Sequence, residues 1–277
     1  MSRGLRPAWS EQFDPEALRP APMLPLPAAI TRDWAWGDAT GAGVKVAVID
    51  SGVDGTHPDV NGVAGGVALE YDEETDEVNA IEGPHEDLFG HGTACAGIIR
   101  QAAPEAELYS IRVLGKNLSG KGAVFAKGLR WAIDNGMHVA NMSLSTAKRD
   151  FFDLFHELAD EAYFNNLMLV SAINNVKARS YPSEYASVFS VAANMSRTTF
   201  GIDYNPSPPV EFGAPGIDIE VAWKDHKHIW STGNSYAAPH VTGVIARILS
   251  KHPGLTPFQV KTILAATARN APRNDVA

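Results

Sequence analysis

Apolar residues along this chain follow two periods that alternate. Short, nearly continuous apolar runs at residues 44–50, 107–113, 138–143, 167–172 and 188–193 read as buried strands. Between them, stretches at 91–101, 122–135, 151–165, 235–250 and 256–268 repeat their apolar positions every three or four residues, which predicts helices. Strand and helix in alternation imply an α/β fold of three layers, a mainly parallel sheet with helices on both faces. Residues 1–29 break the pattern. Pro7, Pro15, Pro20, Pro22, Pro25 and Pro27 oppose regular structure there. The expected organisation is therefore a proline-rich N-terminal extension over 1–29 and one folded domain over 30–277. Internal repeats, heptads and apolar runs long enough to cross a membrane are absent from the sequence.

Three segments bring reactive side chains to the ends of these elements. Residues 44–52 read Val-Lys-Val-Ala-Val-Ile-Asp-Ser-Gly, a buried strand delivering Asp50 to its C-terminal edge. Residues 90–99, Gly-His-Gly-Thr-Ala-Cys-Ala-Gly-Ile-Ile, set His91 between glycines at a helix start. Residues 231–243, Ser-Thr-Gly-Asn-Ser-Tyr-Ala-Ala-Pro-His-Val-Thr-Gly, put Ser235 where a Gly-Asn turn becomes a helix, with Pro239 expected in its first turn. Ser235 reads either as a helix cap or as a nucleophile facing unpaired backbone N–H groups. His91 reads either as a structural histidine or as a base, and Asp50 as a turn residue or as the base's partner. The order Asp, His, Ser, with glycine near each, favours convergence on one edge of an open α/β sheet.

That order and these motifs resemble the subtilase family of serine proteases. The resemblance continues through 54–59 (Asp-Gly-Thr-His-Pro-Asp), 108–114, 131–136, 141–144, Tyr181-Pro182, 214–216 and 248–253, spanning roughly residues 30–268. It implies a subtilisin-like fold and a serine endopeptidase that acts on protein or peptide substrates. Asp50, His91 and Ser235 would form the triad, with Asn175 as oxyanion donor. The substrate-binding positions it implies are Ser143, Leu144, Ser145, Thr146, Ala172, Asn174 and Ser180. Asn174 stands where the family usually has glycine, and Ser145-Thr146 where it has Gly-Gly, so a narrower and more polar first specificity pocket is expected. Ser51 replaces the second acid of the kexin branch, against strict dibasic specificity. Only ten residues separate Gly97 from Leu108, too few for the family's calcium loop. No cofactor is therefore expected, and Asp59 is at most a remnant ligand. Cys95, four residues after His91, resembles the free thiol of proteinase-K-like relatives, or is simply a small buried hydrophobe.

Charge and cysteine content narrow the context. The formal net charge is −9, and nine of the 32 acids lie between Glu70 and Asp87 without one Lys or Arg; elsewhere acids and bases are equal in number. This argues against nucleic-acid binding and reads as a solvated loop preceding His91. One cysteine excludes an internal disulfide. The lack of a visible signal peptide and the brief extension resemble intracellular subtilisins, so a cytoplasmic setting is expected. Oligomeric state is not legible. Two further readings remain: a pathway-specific peptidase or transpeptidase maturing a peptide precursor, and a pseudoprotease that only binds. The spacing from His85 to His91 does not suit a metalloprotease, which needs histidines four apart on a helix.

Overall fold

The computed structural model describes residues 29–271. The expected extension over 1–29 thus lies outside the described residues except for its last, and the folded unit begins at Thr31. In chain order the elements are α1 (Arg32–Ala35), β1 (Lys45–Asp50), β2 (Gly65–Asp72), β3 (Glu77–Glu82), α2 (His91–Ala102), β4 (Glu107–Arg112), α3 (Gly122–Asp134), β5 (Val139–Met142), α4 (Phe152–Phe164), β6 (Met168–Ala172), β7 (Phe189–Asn194), β8 (Asp203–Tyr204), β9 (Phe212–Pro215), β10 (Ile219–Trp223), β11 (Lys227–Ser231), α5 (Asn234–Lys251) and α6 (Pro257–Thr267). Every strand and helix expected from periodicity is present, with ends displaced by at most one residue.

Nine strands form one sheet in the order β3-β2-β4-β1-β5-β6-β7-β9-β8. The seven inner strands are parallel, and β3 and β8 pair antiparallel at the two edges. Side chains alternate between faces along each strand. Ala47 and Ile49 of β1 therefore join the large core formed with Phe125 and Leu129 of α3 and Phe155 and Leu158 of α4. Val46, Val48 and Asp50 face the opposite layer, where α2 packs on β1 and α5 packs on β5, β6, β7 and β9. The same period that buries Val48 thus aims Asp50 at α2.

The acidic stretch is not the solvated loop expected. Its first residues complete β2, which buries Val67, Ala68 and Leu69, and it continues through a turn into β3, which pairs in register from Val67↔Glu82 to Asp72↔Glu77. Asp72 accepts the N–H groups of Glu74 and Thr75, and Asp76 takes φ of 59°, which closes the hairpin. The hairpin's acids lie at the surface, so β3 carries none of the apolar alternation by which a strand is recognised. Part of the charge is also met locally: Glu70 pairs with Arg112, and Lys121 lies 3.2 Å from the centroid of the Tyr71 ring.

Candidate active site

β1 and α2 deliver the first two reactive groups to the C-terminal edge of the sheet, where such folds place their ligands. Their approach depends on glycine. Gly90 has φ of 122°, and a Cβ there would stand 2.3 Å from the Trp223 ring; a Cβ on Gly92 would lie 2.0 Å from the Gly52 carbonyl oxygen. The turn is held by Asp87. One of its oxygens accepts from Ser51 Oγ at 2.8 Å, Phe89 N–H at 2.9 Å and Gly90 N–H at 2.7 Å; the other accepts from Thr93 N–H at 2.9 Å and Thr93 Oγ1 at 2.6 Å. Asp87 is thus a buried tie between the residue after Asp50 and the residues flanking His91. Read only as one acid in a charge run, it gave no sequence signal of this role.

His91 Nδ1 lies 2.9 Å from both oxygens of Asp50, and its Nε2 lies 2.9 Å from Ser235 Oγ. Asp50 is fully buried and His91 nearly so. Burial alone would lower the imidazolium's pKa, but the Asp50 carboxylate outweighs it, and the value stands well above 6.5. Cys95 lies beneath this pair, its Sγ 3.7 Å from Asp50 and 3.8 Å from His91 Nδ1. Burial pushes its thiol upward, so it is neutral and acts as packing.

Ser235 stands in the first turn of α5, whose leading N–H groups have no acceptor within the helix. The helix begins at Asn234, which moves Pro239 from the expected first turn into the second. Lacking an N–H, Pro239 cannot bond the carbonyl of Ser235. That carbonyl instead accepts from Ser143 Oγ at 2.7 Å and, more weakly, from Cys95 Sγ at 3.7 Å. Ser143 in turn accepts from Asn141 Nδ2 at 2.9 Å, and Asn141 Oδ1 accepts from Thr242 Oγ1 at 2.9 Å. A buried polar chain therefore runs from the middle of α5 back to its nucleophilic end.

Asn175 and Asn234 brace one another. Asn175 Oδ1 accepts the Asn234 N–H at 2.9 Å, which leaves Asn175 Nδ2 without a hydrogen-bond partner among the described residues. The Asn234 side chain donates to the Ile173 and Asn174 carbonyls and accepts from Ala193 N–H. His91, Asn175 and Ser235 line a cavity of about 240 Å³ together with Ser143, Leu144, Ser145, Ala172 and Asn174. Two expected lining residues are placed elsewhere. Ser180 is fully buried, its hydroxyl accepting the Asn174 N–H at 2.9 Å, so it supports the wall from behind. Thr146 bridges to Tyr181 through its backbone. Conversely, Leu114 and Leu118 of the β4–α3 connection and Phe125 of α3 line the cavity, making it more apolar than expected. As isolated hydrophobes they were indistinguishable in sequence from core.

The surroundings of Asp59 do not suit calcium. α2 runs on to Ala102 and β4 begins at Glu107, so residues 98–107 form helix, a short turn and strand. The Asp59 carboxylate accepts from His228 Nε2 at 2.7 Å, and imidazoles rather than oxygens surround it.

Fold and site together define an α/β protein with a serine nucleophile, a histidine base and a buried aspartate in the order Asp, His, Ser. The chain belongs to the subtilase family, whose model matches residues 41–277. It is 35% identical over 243 residues to a thermostable alkaline protease of Halalkalibacterium halodurans, covering 82% of this chain and 63% of that one. Subtilisin Savinase of Lederbergia lenta is also 35% identical, with 83% and 84% covered, and subtilisin E of Bacillus subtilis is 34% identical, with 83% and 61% covered. The chain thus spans under two thirds of the length of some of these relatives. The crystal structure of a cold-adapted subtilisin-like serine proteinase superposes with a TM-score of 0.68 at 30% identity, with 83% of each chain covered.

Proposed function

We propose that this chain is a serine endopeptidase that hydrolyses peptide bonds through an acyl-enzyme on Ser235. The observation that carries this reading is the continuous contact from Asp50 through His91 to Ser235, each step at 2.9 Å. Ser235 Oγ attacks the scissile carbonyl while His91 Nε2 takes its proton, and Asp50 stabilises the imidazolium that results. The negative oxygen of the tetrahedral intermediate is met by Asn175 Nδ2 and the Ser235 N–H. Collapse breaks the C–N bond as His91 returns the proton to the leaving amine. Water then repeats the sequence on the ester, releasing the acid and restoring Ser235. No step calls for a cofactor.

The substrate is an extended peptide with an uncharged side chain of moderate size at the first pocket, whose wall mixes Leu114, Leu118, Phe125 and Leu144 with Ser145 and Asn174. Ser51, with its hydroxyl donated to Asp87, supplies no charge for a basic residue. Some of the relatives are named alkaline proteases; a His91 that titrates above its ordinary value favours the same side of neutrality, because the base must be unprotonated. The test is incubation with unfolded proteins and with synthetic peptides, read by intact mass. Fragments whose masses include one added water at each cut support hydrolysis. Cyclised or joined products without that water identify a transpeptidase, and binding without any product identifies a pseudoprotease.

A further inference from the structure

We propose that His57, Asp59 and His228 form a binding site for a divalent transition cation of the zinc class, which clamps the β10–β11 hairpin to the loop after β1. Each residue offers one ligand atom, and the three atoms lie within 4.8 Å of one another. His57 is fully buried with its tautomer fixed: Nε2–H donates to the Lys227 carbonyl at 3.1 Å, and the Nδ1 lone pair accepts the Asp59 N–H at 3.1 Å, a long bond that the ion replaces. A backbone acceptor behind the distal nitrogen is the support that metal-bound histidines ordinarily have. Asp59 and His228 already touch at 2.7 Å and are each nearly half exposed, so an ion can reach them from solvent.

The chemistry selects the cation. Two imidazoles and one carboxylate suit Zn²⁺ or Co²⁺, whereas calcium requires six or more oxygens. Zinc bonds of roughly 2.0–2.2 Å put tetrahedral ligands about 3.4 Å apart, so the exposed side chains need only a small rotation to close on the ion. His226 Nε2 is held by Thr56 Oγ1 at 2.9 Å, so water is the fourth ligand. His226 and His228 both lie on the hairpin whose Val221 packs with Ala94 and Ile98 of α2 and Tyr236 of α5. Its Trp223 also meets Phe89 edge to face. An ion at this position therefore fixes an element that packs against the helix bearing His91.

The experiment uses the full chain carrying Ser235→Ala, which removes self-digestion, freed of metal with a chelator and then dialysed. Titration with Co²⁺ is expected to give one equivalent of a tetrahedral visible spectrum that Zn²⁺ displaces, and Zn²⁺ to raise Tm with a concentration dependence that follows the same Kd. Calcium at equal concentration is expected to do neither. His57→Ala, a buried change, is not the decisive variant. His228→Ala and Asp59→Asn keep the core intact and are each expected to weaken binding at least tenfold. Absence of stoichiometric uptake overturns the proposal. So does binding that survives in both variants, or that is lost on Cys95→Ala, which places the ion at Asp50, His91 and Cys95 instead.

Discussion

The Ser143 hydroxyl is hydrogen-bonded at 2.7 Å to the main-chain carbonyl of Ser235, the acceptor that Pro239 leaves without its helical partner. Ser143 therefore holds the nucleophile's backbone as well as lining the substrate cavity. Ser143→Ala leaves that carbonyl with only the 3.7 Å thiol contact. Stability is expected to fall by about 1–2 kcal/mol for the lost buried bond. A small misplacement of Oγ is expected to lower kcat by roughly ten- to a hundredfold. Steady-state kinetics on a short peptide should show KM nearly unchanged, and a pure KM effect would make Ser143 a substrate contact only.

Activity and stability are expected to run in opposite directions with pH. The base must be neutral, so kcat/KM should rise with pH through a limb above 6.5, the ordinary value from which Asp50 raises His91. The pairing of imidazolium with Asp50 stabilises the folded state fully below about 6.5. That contribution is lost as pH rises through the raised folded-state value. Tm of Ser235→Ala measured against pH should therefore decline across the window in which activity of the parent appears. Asp50→Asn should flatten that slope and reduce kcat by about 10⁴.

Asp87 gathers donors from Ser51, Phe89, Gly90 and Thr93, so its removal strands several buried groups at once. Asp87→Ala should cost about 3 kcal/mol or more, and Asp87→Asn, which turns an NH₂ toward some of those donors, about 2 kcal/mol. Urea unfolding checks this through a lowered midpoint with unchanged m-value. An unmoved midpoint would remove Asp87 from its role as the tie between Asp50 and His91.

β2 runs parallel to β4, pairing Gly65 to Ala68 with Tyr109 to Arg112, so residues after Ala68 project beyond the edge that carries the triad. The hairpin tip therefore places Asp72, Glu73, Glu74, Asp76 and Glu77 on the substrate side. Changing these five to Asn or Gln keeps an acceptor at position 72 for the turn and removes the field. At low salt kcat/KM for Lys/Arg-rich peptides should drop severalfold, while neutral peptides are unaffected. The difference should vanish once ionic strength brings the Debye length to about 3 Å, near 1 M. Equal responses of the two peptide classes would leave the hairpin with a solubilising role alone.

Five of the seven inner strands, β1, β4, β5, β6 and β7, and the major helices were legible because burial on both faces writes continuous apolar runs, and helix faces write a period near 3.6. The other strands were not: β2 opens on two glycines and runs into the acidic stretch, β9 spans only four residues, and the edge strands β3 and β8 pair without burying an apolar face. The β10–β11 hairpin was also missed, because its apolar residues Ile219, Val221 and Ile229 are spaced among charged ones. Asp50, His91 and Ser235 stood out through glycines that the structure explains at Gly90 and Gly92. The pocket was less legible. Ser180 and Thr146 matched lining positions by motif but serve the wall from behind or through backbone, and Leu114, Leu118 and Phe125 reach the cavity only through the path of the β4–α3 connection and the start of α3.

The central claim is that Ser235 is a nucleophile activated by His91, and labelling with a fluorophosphonate tests it most directly. Attack by Oγ on phosphorus expels fluoride and leaves a stable ester. Intact-mass and peptide mapping should find one adduct per chain, on Ser235, forming faster as pH rises through the His91 limb and absent in Ser235→Ala and in His91→Ala. A folded, accessible wild-type chain that stays unlabelled, or that labels at Ser235 equally well without His91, would contradict the account.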